Sequence, residues 1–225
     1  MKKKVLIVAS MILMALTVSG CMKKENPVAT DSSQNQTTKS AEAEVTGAGD
    51  NLDETKTLVI AHGAYPQTLD IQNQSDAFSS RPASMVFEKL MKMDKDGNFQ
   101  GVLAESWEYE DDTHLVFHLR EGVKFHNGDP MTAEDVKWSL IRAVNSAHVS
   151  SKASFINQDD ITIIDDNTIK VGYLYPNASA YAAFSNAGLS ILPSKLYANA
   201  DTADISKNPI GTGPYKYVDC VNGEK

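Results

Sequence analysis

Residues 86–138 read VFEKLMKMDKDGNFQGVLAESWEYEDDTHLVFHLREGVKFHNGDPMTAEDVKW, and this stretch decides the fold. From His114 to Arg120 the pattern alternates. Leu115, Phe117 and Leu119 point one way, and His114, Val116, His118 and Arg120 the other, as on a half-buried strand. Trp107 and Tyr109 carry the same period of two, and Asp111-Asp112 supplies a turn, so the unit is a hairpin. A second hairpin turns at Asp96-Gly97-Asn98. Asn127-Gly128-Asp129-Pro130 is a further turn cluster. Thr132 then opens a helix, with Asp135 three residues on in capping-box position. Val136, Leu140, Ile141 and Val144 give that helix one apolar face.

Outward on the N-terminal side, Phe78, Met85, Val86, Phe87 and Leu90 recur at helical spacing over residues 76–91. Pro82 interrupts the pattern, so the helix is predicted to start near Arg81 with the proline in its first turn. Thr57–Ala61 is a short apolar run, predicted to be a buried strand. On the C-terminal side, residues 146–156 read as a polar loop. Ile161–Ile164 and Thr168–Tyr173 form a hairpin across Asp165-Asp166-Asn167. Residues 178–187 are helical, packing Tyr181 and Phe184, and a short helix passes through Leu196-Tyr197. Tyr215–Val218 is predicted to enter the main sheet after Asn208–Pro214, with a hairpin turn at Asn222-Gly223.

Several of these segments together resemble the peptide/nickel family of extracytoplasmic solute-binding proteins of ABC importers. They are VFEKL, DKDGNF, LAESWEYEDD, VFHLREGVKFHNGDPMTAEDVKWSL and NPIGTGPYKY, in family order across residues 68–217. The resemblance implies an α/β fold of the type II periplasmic-binding-protein-like class, the large peptide-binding kind. Family members are longer, so residues 56–225 are expected to hold the first lobe and an inserted subdomain, with the second lobe missing. The implied role is capture of oligopeptides for an ABC permease and its ATPase. Nickel chelates, haem, sugars and a peptide pheromone with a signalling role stay open as alternatives. The resemblance also places the Gln72–Ser80 loop on the ligand cleft and nominates Tyr65, Gln74, Phe78, Ser79 and Arg81 as ligand contacts. Phe78 would act by stacking or apolar contact and Arg81 by a bidentate grip on a carboxylate. A core aromatic and a solvated arginine are the plain alternatives for those two. Where the family carries a Leu-Asp-Pro-His-like turn, this chain has Leu69-Asp70-Ile71-Gln72, so the rigid proline is absent.

Residues 1–20 read as a secretion signal: three lysines, an apolar run from Val5 to Val18, then small residues. The run is shorter than the ~20 residues of a spanning helix. Val18-Ser19-Gly20-Cys21 resembles a lipobox, which implies lipidation of Cys21 and anchoring at the extracytoplasmic face of the cell membrane. Cys220, the other cysteine, reads as an ordinary strand residue. Residues 21–55 are poor in large apolar side chains and read as a disordered tether, of a length and composition that suit a Gram-positive surface, the periplasm being the alternative in a Gram-negative cell.

The 225-residue chain has a net charge of −8, with 42% hydrophobic and 22% charged residues, ordinary for a soluble globular body. With no basic block beyond the leader, nucleic-acid binding is not expected. No nucleophile elbow, Cys/His set or phosphate loop is present, so no enzyme and no cofactor are expected. Glu105, Glu108 and Glu110 read as surface charge. His114 and His118 share a strand face, about 13 Å apart, too far to share a metal, and read as solvated. Asp94, Asp96, Asn98 and Glu105 sit at calcium-loop spacing, but Phe99 stands where such a loop needs glycine, so no metal is expected.

Overall fold

A computed structural model describes residues 59–219, all within one unit spanning Thr57–Lys225. In chain order the elements are α1 (Ala77–Val86), β1 (Met91–Met93), β2 (Phe99–Gly101), β3 (Ala104–Asp111), β4 (His114–Leu119), α2 (Ala133–Val144), α3 (Ser150–Ala153), β5 (Ile156–Asp165), β6 (Thr168–Tyr173), α4 (Ala180–Phe184), a 3-10 turn (Ala187–Leu189), α5 (Ser194–Tyr197) and α6 (Thr202–Lys207). The leader, the Cys21 lipobox, the tether, Thr57-Leu58, Cys220 and the Asn222-Gly223 turn lie outside the described residues.

The alternation around Phe117 becomes the middle of an antiparallel sheet ordered β3-β4-β6-β5. Phe117 sits opposite Trp107 on β3 and Ile169 on β6, and Leu115 opposite Tyr109 and Val171. Val116 on the opposite face is also buried, at 8% exposure, while Leu115, Phe117 and Leu119 share the core face. Helix α2 packs its Val136 and Leu140 against that face in one continuous core. Aromatic edges complete it: Phe117 meets Phe184 edge-on at 4.9 Å, and Phe155 meets Tyr173 at 5.0 Å. The capping box is present, with Thr132 N–H donating to Asp135 Oδ2 at 2.9 Å. The Asp94 turn links β1 to β2. Asp94 Oδ1 accepts from the Asp96 and Asn98 backbone amides, both at 2.9 Å, which fixes the turn.

Four expectations change. Val59–Ala61 is not a strand, and Val59 is 83% exposed. Apolar composition favours a strand only where a neighbour completes its hydrogen bonds, and no described strand lies beside it. Tyr215–Val218 is likewise not a strand of the sheet. That segment docks on the end of α1 instead, Gly213 N–H donating to Val86 O at 2.8 Å and Tyr215 N–H to Met85 O at 3.2 Å. Helix α1 begins at Ala77, with Pro82 inside it. One intrahelical bond is lost at the proline, and the Asp76 cap, accepting from Ser79 N–H at 2.8 Å, secures the first turn. The 146–156 loop contains α3, and β5 starts earlier, at Ile156.

The return segment must pass close to α1. A Cβ on Gly211 would lie 2.0 Å from Val86 O, so only glycine fits there. His126 pins the same segment, its N–H donating to Gly211 O at 2.9 Å and its Nε2 to Gly213 O at 2.7 Å.

Candidate solute-binding site

The loop from Leu69 to Asp76 is held from both sides by apolar packing and buried polar contacts. Ile71 is fully buried in a second apolar cluster with Ala83, Val86, Phe87, Leu192, Tyr197 and Ile205. On either side of it, Asp70 and Gln72 are fully buried polar residues, which must be satisfied within the protein. Arg142 of α2 meets the Asp70 carboxylate with both terminal nitrogens, Nη1 at 3.1 Å and Nη2 at 2.5 Å. Its Nη1 also donates to Gln72 Oε1 at 3.0 Å, and its guanidinium lies 5.9 Å from the Trp138 ring centroid. Gln72 Nε2 donates to Ser139 O and Ser190 O at 3.0 and 3.1 Å. Ser146 Oγ donates to Gln72 O at 2.6 Å. This polar lock, rather than a proline, sets the loop's geometry. It fixes where Gln74 and Asp76 emerge.

Beyond the lock, the Gln74–Ser80 segment forms one wall of a cavity of about 350 Å3. The facing wall brings His148 and Lys152 from α3 and its approach, and Asn186 from before the 3-10 turn. Asp76 carries the wall into α1. Its carboxylate is held below the usual carboxylate range by hydrogen bonds from Ser79, the backbone N–H foremost. Volume and mixed polar lining suit a small solute or one segment of a peptide.

Of the five nominated contacts, Gln74 lies on the cavity wall. It is 7% exposed; its Nε2 donates to Ile71 O at 3.5 Å, while Oε1 has no hydrogen-bond partner. Ser79 is fully buried behind the wall, its hydroxyl accepting from Gln67 N–H at 3.0 Å, so it shapes the loop rather than facing solute. Phe78 lies against Gly63, and Phe78, Tyr65 and Arg81 are exposed outside the set lining this cavity. The sequence assigns no individual role to His148, Lys152 or Asn186, since nothing local ties them to a loop far upstream.

The sheet face bears a second charged group. His114 is not solvated: Nδ1 faces Asp111 at 2.9 Å and Nε2 faces Asp160 at 3.0 Å. These two carboxylates raise its pKa, Asp111 foremost, and the Asp111 carboxyl falls to about 2 in return. Asp160 reaches His114 across Gly172, where any Cβ would lie 2.5 Å from Asp160 Oδ2. Glu110, Asp111 and His114 place ligand atoms within 4.8 Å of one another. Glu110 is paired with Lys170 at 3.0 Å and Asp111 with His114, so the group is a charge clasp between strands.

Residues 98–225 match the family model of bacterial extracellular solute-binding proteins, family 5 (middle). The chain belongs to this family. The family 5 chain is 32% identical over 206 residues to the periplasmic oligopeptide-binding protein OppA of Haemophilus influenzae. That match takes in 83% of the chain and 38% of the relative, so the chain spans well under half the relative's length. The solved Haemophilus influenzae OppA, in complex with RPPGFSPFR, superposes with a TM-score of 0.63 at 29% identity, over 71% of this chain and 35% of that one. NikZ from Campylobacter jejuni, in complex with Ni(L-His), gives 0.62 at 27% identity, over 72% of this chain and 32% of that one. The fold is thus of the type II periplasmic-binding-protein-like class, on an N-terminal portion. The described strands of this portion pair antiparallel throughout.

Proposed function

We propose that this family 5 chain forms the first lobe and subdomain of a receptor that captures oligopeptides and passes them to an ABC permease and its ATPase. The observation carrying the reading is that part of the Gln72–Ser80 loop expected to line a cleft, from Gln74 onward, borders a cavity with a buried, unpartnered acceptor on Gln74. A peptide supplies N–H donors along its length whatever its side chains, and a buried acceptor gains most from such a donor. Tyr65, Phe78 and Arg81 are exposed and would serve as contacts for the rest of an extended peptide. The likeness to an OppA solved with RPPGFSPFR supports a peptide over other solutes. The likeness to NikZ supports a second reading, a nickel–histidine complex. Cys21 would carry the lipid that holds the receptor at the extracytoplasmic face, two acyl chains giving stable anchoring.

Titration of RPPGFSPFR into the 15N-labelled chain tests the reading. The amides of Gln74–Ser80 are expected to shift in a saturable way, and Gln74→Ala to weaken binding about tenfold. If Ni(L-His) shifts those amides and the peptide does not, the nickel-chelate reading replaces it.

A further inference from the structure

A second cavity, of about 280 Å3, shares only Ala187 with the first. Its walls come from four segments, three of them hydrogen-bonded to the fourth, residues 84–92. Leu90 O accepts from Val102 N–H at 2.9 Å, Glu88 O from Ile191 N–H at 2.8 Å and Val86 O from Gly213 N–H at 2.8 Å. Two lysines, Lys89 and Lys92, line it beside an apolar surface from Phe87, Val102 and Pro214. Glu88 lines it too. Among the described residues, neither lysine has a carboxylate within ion-pair distance, Glu88 included. Two like charges on one wall repel, and a partly buried ammonium without a partner is costly. Burial and the Lys92 charge accordingly pull the Lys89 ammonium below its ordinary value. An anion bound between them would relieve both effects. The apolar walls would favour one carrying a hydrocarbon body over a strongly hydrated ion.

We propose that Lys89 and Lys92 form an anion subsite for a small organic acid, the carboxylate between the ammonium groups and the apolar body against Phe87, Val102 and Pro214. This site is separate from the peptide-binding reading and stands whether or not that reading does.

The test follows the lysine ε-methylene signals of the purified chain by NMR while 3-phenylpropionate is added. Lys89 and Lys92 are expected to shift together and to saturate. The neutral 3-phenylpropanol, with the same ring, should bind at least about tenfold more weakly. Lys89→Met, which keeps the stem and removes the charge, and Lys92→Met, at an exposed position, should each weaken the acid about tenfold. Equal binding of the alcohol, unmoved lysine signals, or full affinity in Lys92→Met would overturn the proposal. So would inorganic phosphate binding more tightly than the acid, which would make the wall a bare anion site.

Discussion

Arg142→Met removes the cation from the lock behind the cavity loop. Asp70 then keeps a fully buried carboxylate facing no charge, and Gln72 Oε1 loses its donor. Removing one partner of a buried pair costs about 3–5 kcal/mol, because the other charge is left uncompensated. The Arg142 side chain is 22% exposed, so water reaches its side of the pair and the lower end, about 3 kcal/mol, is expected. For a body of this size that corresponds to roughly 6–12 °C in Tm. Urea unfolding followed by tryptophan fluorescence and circular dichroism measures it. The double variant Asp70→Asn/Arg142→Met should recover at least half of the loss, since no buried charge remains. Hydrogen exchange should quicken at Gln72 and Asn73 in the single variant. A cost below about 1 kcal/mol, or a double variant less stable than Arg142→Met, would refute the claim that the lock is desolvated and sets the loop.

Phe117→Ala, at a fully buried position against Phe184, should cost about 3–5 kcal/mol in the same urea assay. The His114 clasp makes stability pH-dependent in two windows. His114 is raised above 6.5, so its contribution is full below that value and fades as pH rises through the higher folded pKa. Asp111 is lowered from 3.8 to about 2, so its contribution is full above 3.8 and fades as pH falls towards 2. Asp160→Asn should lower the His114 pKa, read from the imidazole proton shifts, and an unmoved titration would show that Asp160 does not hold the ring. Cys21→Ala should abolish incorporation of labelled palmitate in cells and release the chain from membranes; retention of label would place the lipid elsewhere.

The β3–β4 hairpin and the α2 cap were legible because their causes lie within a few residues. Period-two alternation from Leu115 to Leu119 and the Thr132–Asp135 spacing act locally, and the core they imply is the one observed. Val59–Ala61 and Tyr215–Val218 were misread for the complementary reason. Their composition is that of strands, but a strand exists only where a partner offers donors and acceptors, and that is not written in the segment itself. Of the candidate site, the resemblance nominates the Gln72–Ser80 loop, whose Gln74–Ser80 part borders the cavity, and assigns no role to His148 or Lys152 on the opposite wall.

The sequence by itself determined the family, the alternating hairpin that anchors the core, the capped helix beside it and the loop that borders the cavity. Tertiary structure alone decided that Asp70 meets Arg142 across 72 residues, and that Asp160 reaches His114 across 46 by passing over a glycine. Hydrophobic periodicity is a local property of the chain. The pairing of buried charges depends on which distant segments the core brings within a few ångströms, and no spacing rule encodes that.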